Sequence, residues 1–270
     1  MIDVALTRAE LRSANVVVVI DVLRATSTIT QALAAGYESV LCTDSLERAA
    51  LMRGPGRVLA GEQRGVMPAG FDQGNSPLDA MRCGGRELVL ATTNGTPAIV
   101  AAAELGSPVL LGCLLNFDAV LKALLEPAGA VELDLLIVCS GTDGALALED
   151  AYVAGLLCAA LPGPRTDAAL VAQAVSRSYP TPFEALASSA DAASLRAAGL
   201  ADDIAYCAIT SKLDVVPRVS EATGGVTVRC EPATEPRHAR KRRTSRPAPS
   251  PAQRQRAART TIASPARPSA

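Results

Sequence analysis

Short, strongly apolar runs alternate along this chain with longer stretches in which apolar residues recur at helical spacing. Residues 16–20, Val-Val-Val-Val-Ile, form an unbroken β-branched run that predicts a strand buried on both faces, as in a parallel sheet covered by helices. Asp21 stands where that strand ends and Arg24 follows three residues later. Ala25-Thr26-Ser27-Thr28 then offers capping hydroxyls to a helix carrying Ile29, Leu33 and Ala34, with Gly36 as its stop. Further strands are predicted at 1–6, 38–42, 57–60, 87–91, 108–111 and 133–138. Helices are predicted over 45–52, from Pro77, after Pro97, from about Asn116 and after Gly144. Strands separated by helical stretches of about 10 to 15 residues are the mark of an α/β sheet. From 165 to 200 the pattern is helical, broken at Tyr179-Pro180-Thr181-Pro182, and 202–209, 213–219 and 226–230 read as closing strands. The expected fold is therefore α/β, a layered sheet with flanking helices, filling residues 1–230.

Beyond residue 231 the apolar periodicity vanishes and Arg, Pro, Ala and Ser dominate, which predicts a basic, disordered tail over 231–270. The net charge of −1 conceals this division. Ten basic and two acidic residues fall in the tail, leaving 16 basic against 25 acidic in the body, a balance of −9. Lys241-Arg242-Arg243 reads as part of a solvated appendage, not as a specific nucleic-acid contact. Aromatics at 3% and the absence of Trp argue against a base-stacking platform, and no specific nucleic-acid partner is expected. The seven cysteines (Cys42, Cys83, Cys113, Cys139, Cys158, Cys207, Cys230) are scattered without a CxxC or a Cys/His pair, which argues against a disulfide framework or a zinc site. No secretory signal and no apolar run of about 18 residues is present, so a cytoplasmic protein without membrane contact is expected.

The polar clusters share one address, because each follows a predicted strand. Asp21 and Arg24, Glu62 and Arg64, the long loop bearing Asp72, Asn75 and Ser76, the stretch Thr92-Thr93-Asn94-Gly95-Thr96, Asn116, and Ser140 with Thr142 and Asp143 all fall on loops, most at one rim of the sheet. In open α/β sheets that rim is where ligands bind. Glu149 and Asp150 open the next helix, within reach of the same rim. Read singly, Glu149 and Asp150 also look like a solvated helix start, Thr96 like a helix cap, and Asp21 like a cap paired with Arg24. Together they predict a pocket for a charged, oxygen-rich ligand. The 92–96 stretch offers N–H groups and hydroxyls suited to a phosphate, and the two arginines can fork onto phosphate or sulfonate oxygens. Asp21, Glu62, Asp72, Glu149 and Asp150 are wrong for binding an anion alone and make sense with a hard cation such as Mg²⁺ between them and the ligand.

Other chemistries are absent. There is no GxxxxGK[ST] and no GxGxxG motif, and His238, the one histidine, lies in the tail. Ser-His-Asp and Cys-His mechanisms are thus excluded from the body, and Cys139 reads as structural.

Taken in order, Ile20-Asp21-Val22-Leu23-Arg24-Ala25-Thr26-Ser27-Thr28, Gly61-Glu62 with Gly65, Gly70-Phe71-Asp72 with Gly74-Asn75-Ser76-Pro77, Thr92-Thr93-Asn94-Gly95-Thr96, Cys139-Ser140-Gly141 and Glu149-Asp150 with Gly155 resemble the 2-phosphosulfolactate phosphatase (ComB) family. The likeness extends faintly to Asp203-Ile204-Ala205-Tyr206-Cys207 and Val215-Val216-Pro217, so it spans roughly 16–219. It implies a Mg²⁺-dependent phosphatase that converts (2R)-2-phospho-3-sulfolactate to 3-sulfolactate and phosphate, a coenzyme M biosynthesis step. The expected mechanism is metal-assisted hydrolysis, with Mg²⁺ on some of the five carboxylates and Arg24 or Arg64 on the transferring phosphoryl group. The other arginine would take the sulfonate or carboxylate, and a carboxylate outside the metal shell would protonate the leaving alkoxide. Attack by Asp21 itself stays open, although Leu23 occupies the second Asp position of a DxD pattern. Two other readings stand beside this one: a phosphatase of the same architecture for another small phosphorylated acid, and a non-catalytic anion-binding protein. A homo-oligomer is left open.

Overall fold

The computed structural model describes residues 1–82, 86–126, 134–221 and 225–230. The tail at 231–270, its basic cluster and Cys83 lie outside the described residues. The strands are β1 (Ile2–Ala5), β2 (Val16–Ile20), β3 (Ser39–Thr43), β4 (Arg57–Gly61), β5 (Glu87–Ala91), β6 (Val109–Gly112), β7 (Leu135–Cys139), β8 (Pro217–Glu221) and β9 (Val226–Cys230). Between them run α1 (Ala25–Ala34), α2 (Leu46–Leu51), α3 (Pro77–Arg82), α4 (Gly95–Ala103), α5 (Phe117–Leu125) and α6 (Leu148–Ala160). A helical segment follows: α7 (Asp167–Arg177), α8 (Pro182–Ala187), α9 (Ala190–Ala197) and α10 (Ala201–Cys207). Among the described residues no helix is long and apolar enough to cross a membrane.

All nine strands join one sheet in the order β1-β7-β2-β6-β8-β9-β3-β5-β4. β1, β7, β2 and β6 pair in parallel, as do β3, β5 and β4. The β8–β9 pair joins the two blocks through three successive antiparallel pairings. By that count the blocks run in opposite senses, yet β2, β7, β4 and β5 deliver their carboxyl ends to one cavity. Sheet twist accounts for much of the reversal, at about 20–25° per neighbouring pair and so about 100–125° over the five steps from β2 to β5. The register irregularity between Val219 and Glu221 adds to it, since bulges increase local twist.

Period-two alternation divides β2 between two cores. Val17 and Val19 join α1, α4 and the inner faces of both blocks, while Val18 and Ile20 join the helices α5–α10. All four are fully buried, each contributing about 1.5–3 kcal/mol by leaving water. α1 and α4 therefore form a layer between the two halves of the curled sheet, with α6 and its neighbours outside the first block and α2 outside the second. The described cysteines are all free, and five of the six are buried among these apolar residues.

Residues 202–209 are not a strand. Asp202 and Asp203 occupy the first turn of α10, where acidic side chains favour the helix dipole, and Asp203, Ile204, Tyr206 and Cys207 are buried at helical spacing. β8 begins at Pro217 and not at 213, because the preceding residues bind another loop. Ser211 and Leu213 donate their N–H groups to the Leu114 and Leu115 carbonyls.

Candidate active site

At the carboxyl ends of β2, β4, β5 and β7 lies a cavity of about 360 Å³. Asp21 is its floor and 7% exposed. Its Oδ1 accepts the Ala25 N–H at 2.8 Å, so the carboxylate caps α1 while its other oxygen faces α4. A Cβ on Gly95 would sit 2.3 Å from that Oδ2, so only glycine lets the start of α4 approach so closely. Burial, reinforced by Asp191 and Glu62 and opposed by the Ala25 N–H and Arg24, pushes the Asp21 carboxyl up to about 7. Asp150 and Glu149 enter from the first turn of α6, each 2% exposed. Asp150 accepts the Val22 N–H at 2.9 Å and the Gly141 N–H at 3.3 Å, and burial together with the Asp21 charge raises its carboxyl well above the usual range. Glu149 rises to about 9 through burial and the adjoining Asp191 carboxylate, with which it shares a hydrogen bond.

The cavity mouth is built from two matched tight turns. Gln63-Arg64-Gly65-Val66 and Thr142-Asp143-Gly144-Ala145 each close with paired backbone hydrogen bonds, and both central residues of each have positive φ. That is the type I′ pattern, which favours glycine at the second central position. The Arg64 and Asp143 N–H groups reach the Thr93 hydroxyl (3.5 Å) and the Asn94 side chain (3.1 Å), so the turns hold the start of α4 between them. Glu62 ties the first turn to the same loop, accepting the Thr93 N–H at 2.8 Å and the Gly65 N–H at 2.7 Å. Arg64 is exposed and makes no ion pair among the described residues. Arg24, by contrast, is buried on the wall, its Nη1 2.6 Å from Asp203.

Residues 3–222 match the sequence model of 2-phosphosulpholactate phosphatase. The chain belongs to this family. Proteins named as probable 2-phosphosulfolactate phosphatases include one from Thermus thermophilus, 42% identical over 218 residues (77% of this chain and 91% of that protein). One from Carboxydothermus hydrogenoformans is 38% identical over 224 residues (80% and 92%), and one from Deinococcus radiodurans is 38% identical over 211 (75% and 87%). The 2-phosphosulfolactate phosphatase family is one of phosphoric monoester hydrolases, and its match covers every element lining the cavity.

Of the residues expected to form a phosphatase site, Asp21, Arg24, Glu62, Arg64, Asn75, Thr92, Thr93, Asn94, Glu149 and Asp150 line the cavity. Others lie apart from it. Asp72 is held at the edge of β4 by the Leu59 N–H (2.8 Å) and by Arg53 (3.1 Å). Asn116 is sealed in the core, where its amide accepts from Cys113 and donates to the Leu111 and Val215 carbonyls, leaving nothing for a ligand. Thr96 accepts the Thr92 N–H at its hydroxyl (2.9 Å), and the cavity-lining Thr92 accepts the Thr96 N–H in return (3.0 Å). Ser76 is bound to Asp203 at 2.7 Å, and Ser140 is buried, its N–H donating to the Ile20 carbonyl. Cys139 is no nucleophile, since burial and the Asp150 charge drive its thiol far from ionisation. Sequence reasoning missed Asp191, which accepts the Thr142 hydroxyl at 2.6 Å, along with Ser194 and Leu195. All three sit on α9, in an alanine-rich stretch whose pattern signals only a helix.

Mg²⁺ fits the donors present. Among the described residues no three Asp, Glu, His or Cys side chains converge as a finished ligand set. Mg²⁺ needs no such cage, since it keeps several waters and uses one or two carboxylates with substrate phosphate. Asp21 and Asp150 are hard, buried and mutually repelling oxygen donors, which suits a cation between them.

Proposed function

We propose that this chain hydrolyses (2R)-2-phospho-3-sulfolactate to (2R)-3-sulfolactate and phosphate with Mg²⁺, a step of the coenzyme M biosynthesis type. The observation that supports it is the charge balance of the cavity. Six carboxylates (Asp21, Glu62, Asp143, Glu149, Asp150 and Asp191) face two arginines, one already paired with Asp203. A substrate bearing phosphate, sulfonate and carboxylate brings more negative charge still, and a divalent cation with retained protons offsets it. Asp21 and Asp150 would hold the Mg²⁺, which when bound neutralises phosphoryl oxygens. Arg24 donates to the transferring phosphoryl group from the wall, beside the N–H groups at the start of α4. Arg64 at the mouth receives the sulfonate or the carboxylate. Glu149, pushed up to about 9, holds a proton at neutral pH and delivers it to the leaving alkoxide.

The test is phosphate release from 2-phosphosulfolactate, expected to be EDTA-sensitive, restored by Mg²⁺, and lowered at least about 10²-fold by Asp21→Asn. Release indifferent to chelator and to that substitution overturns the metal mechanism. A much higher kcat/KM on a phosphoester without sulfonate would assign another small phosphorylated acid, and binding without release would leave an anion-binding protein.

A further inference from the structure

Arg24 is 3% exposed at its side chain and Asp203 2%, and they meet at 2.6 Å across 179 residues of sequence. The second Asp203 oxygen accepts the Ser76 hydroxyl at 2.7 Å, so both oxygens are spoken for. A guanidinium has five N–H donors in a rigid plane. Asp203 engages Nη1 alone, no other hydrogen bond or ion pair of the side chain occurs among the described residues, and Arg24 lines the cavity. Asp203 does not line it. A staple between α10 and the start of α1 needs no charges, because apolar side chains of similar volume hold such a place equally well. A buried, neutralised arginine with N–H groups left over suits a site where an anion arrives and its geometry matters more than its attraction.

We propose that Asp203, backed by Ser76, is the positioning residue that aims the Arg24 guanidinium at the phosphoryl oxygens. This rests on the reading of the cavity as a phosphate-ester site. The pair is electrically neutral, so its contribution is direction, and a misplacement of about 1 Å at such a group costs on the order of 10²-fold in rate.

The full-length Asp203→Asn variant separates this role from simple support of the fold. Asn keeps the volume and one acceptor but removes the charge that neutralises Arg24. The expected result is a kcat on 2-phosphosulfolactate lower by about 10²-fold, with the Kd for inorganic phosphate, measured by calorimetry, unchanged or tighter. A phosphate Kd that weakens in step with kcat, or a kcat within about twofold of the parent, overturns the proposal. Should Asp203→Asn fail to fold, Ser76→Ala loosens the same carboxylate. It is expected to lower kcat by about 3- to 10-fold with phosphate affinity kept, and an undiminished kcat overturns the proposal. If the parent enzyme binds inorganic phosphate but does not hydrolyse the ester, the substrate assignment fails separately. Positioning is then decided by the phosphate Kd of Asp203→Asn: retained or tighter affinity supports it and weaker affinity overturns it.

Discussion

Asp21 spends one carboxylate oxygen on the Ala25 N–H and keeps the other beside Gly95. Capping and site chemistry are thus two uses of one side chain, and the local sequence cannot separate them. The strand ends were legible because an apolar run followed by Asp, Thr or Glu marks the rim of a parallel sheet. What escaped were partners brought by the far chain: Asp191 and Asp203 lie in helices whose local pattern says nothing about a pocket. The crowding of carboxylates has a measurable cost. Asp21 and Glu149 ionise near 4 in the unfolded chain but only at about 7 and about 9 when folded. Between those limits the folded state binds more protons, so stability from these groups is full below about pH 4 and is lost as pH rises through 7 and 9. The metal-free protein is expected to lose thermal midpoint steadily from pH 5 to 9. Glu149→Gln should flatten the upper part of that slope, and an unaltered slope in a pH series of thermal melts would contradict the buried-proton account.

At the level of elements, the apolar runs of β2, β5 and β7 were readable because each strand is covered on both faces. α10 was not, because Ile204-Ala205-Tyr206-Cys207-Ala208-Ile209 is a short continuous apolar run, which periodicity alone assigns to neither strand nor helix. Its helical state follows from what it buries, which is tertiary information. α6 and α7 show the reverse dependence, of packing on one residue. A Cβ at Gly155 would lie 2.0 Å from the Ala172 carbonyl oxygen, a backbone atom that cannot turn aside. Gly155→Ala is expected to cost about 1–3 kcal/mol, seen as a fall of about 2–4 °C in thermal midpoint per kcal/mol. Gly54→Ala, whose nearest neighbour is 3.9 Å away, should stay within about 0.5 kcal/mol. Equal effects of the two would show that α6 can move away from α7 at little cost.

Across the whole molecule, the α/β class and the single rim were legible from alternation alone, whereas the opposed blocks were not. Strand order depends on pairings between residues as distant as Val40 and Val228, and nothing local encodes them. The family match ends at residue 222, and the last described strand ends at Cys230. Truncation after Glu231 is therefore expected to leave phosphate release within about twofold of the parent, while truncation after Val216, removing β8 and β9, should abolish release and cooperative unfolding together. Activity surviving the second cut would mean that the helix layer alone can hold the two blocks in place. The β8–β9 seam also sets an order of events in synthesis. Asp21 and Asp150 belong to one block, Glu62 and Thr92 to the other, and the strands that join those blocks follow all the other described strands in the chain. Until β8 and β9 have been made, β3 and β6 each present an open edge, a feature that invites mispairing in a nascent protein. Pairing of β8 and β9 closes both edges at once, so the step that brings the two halves of the cavity together also removes the edges open to mispairing.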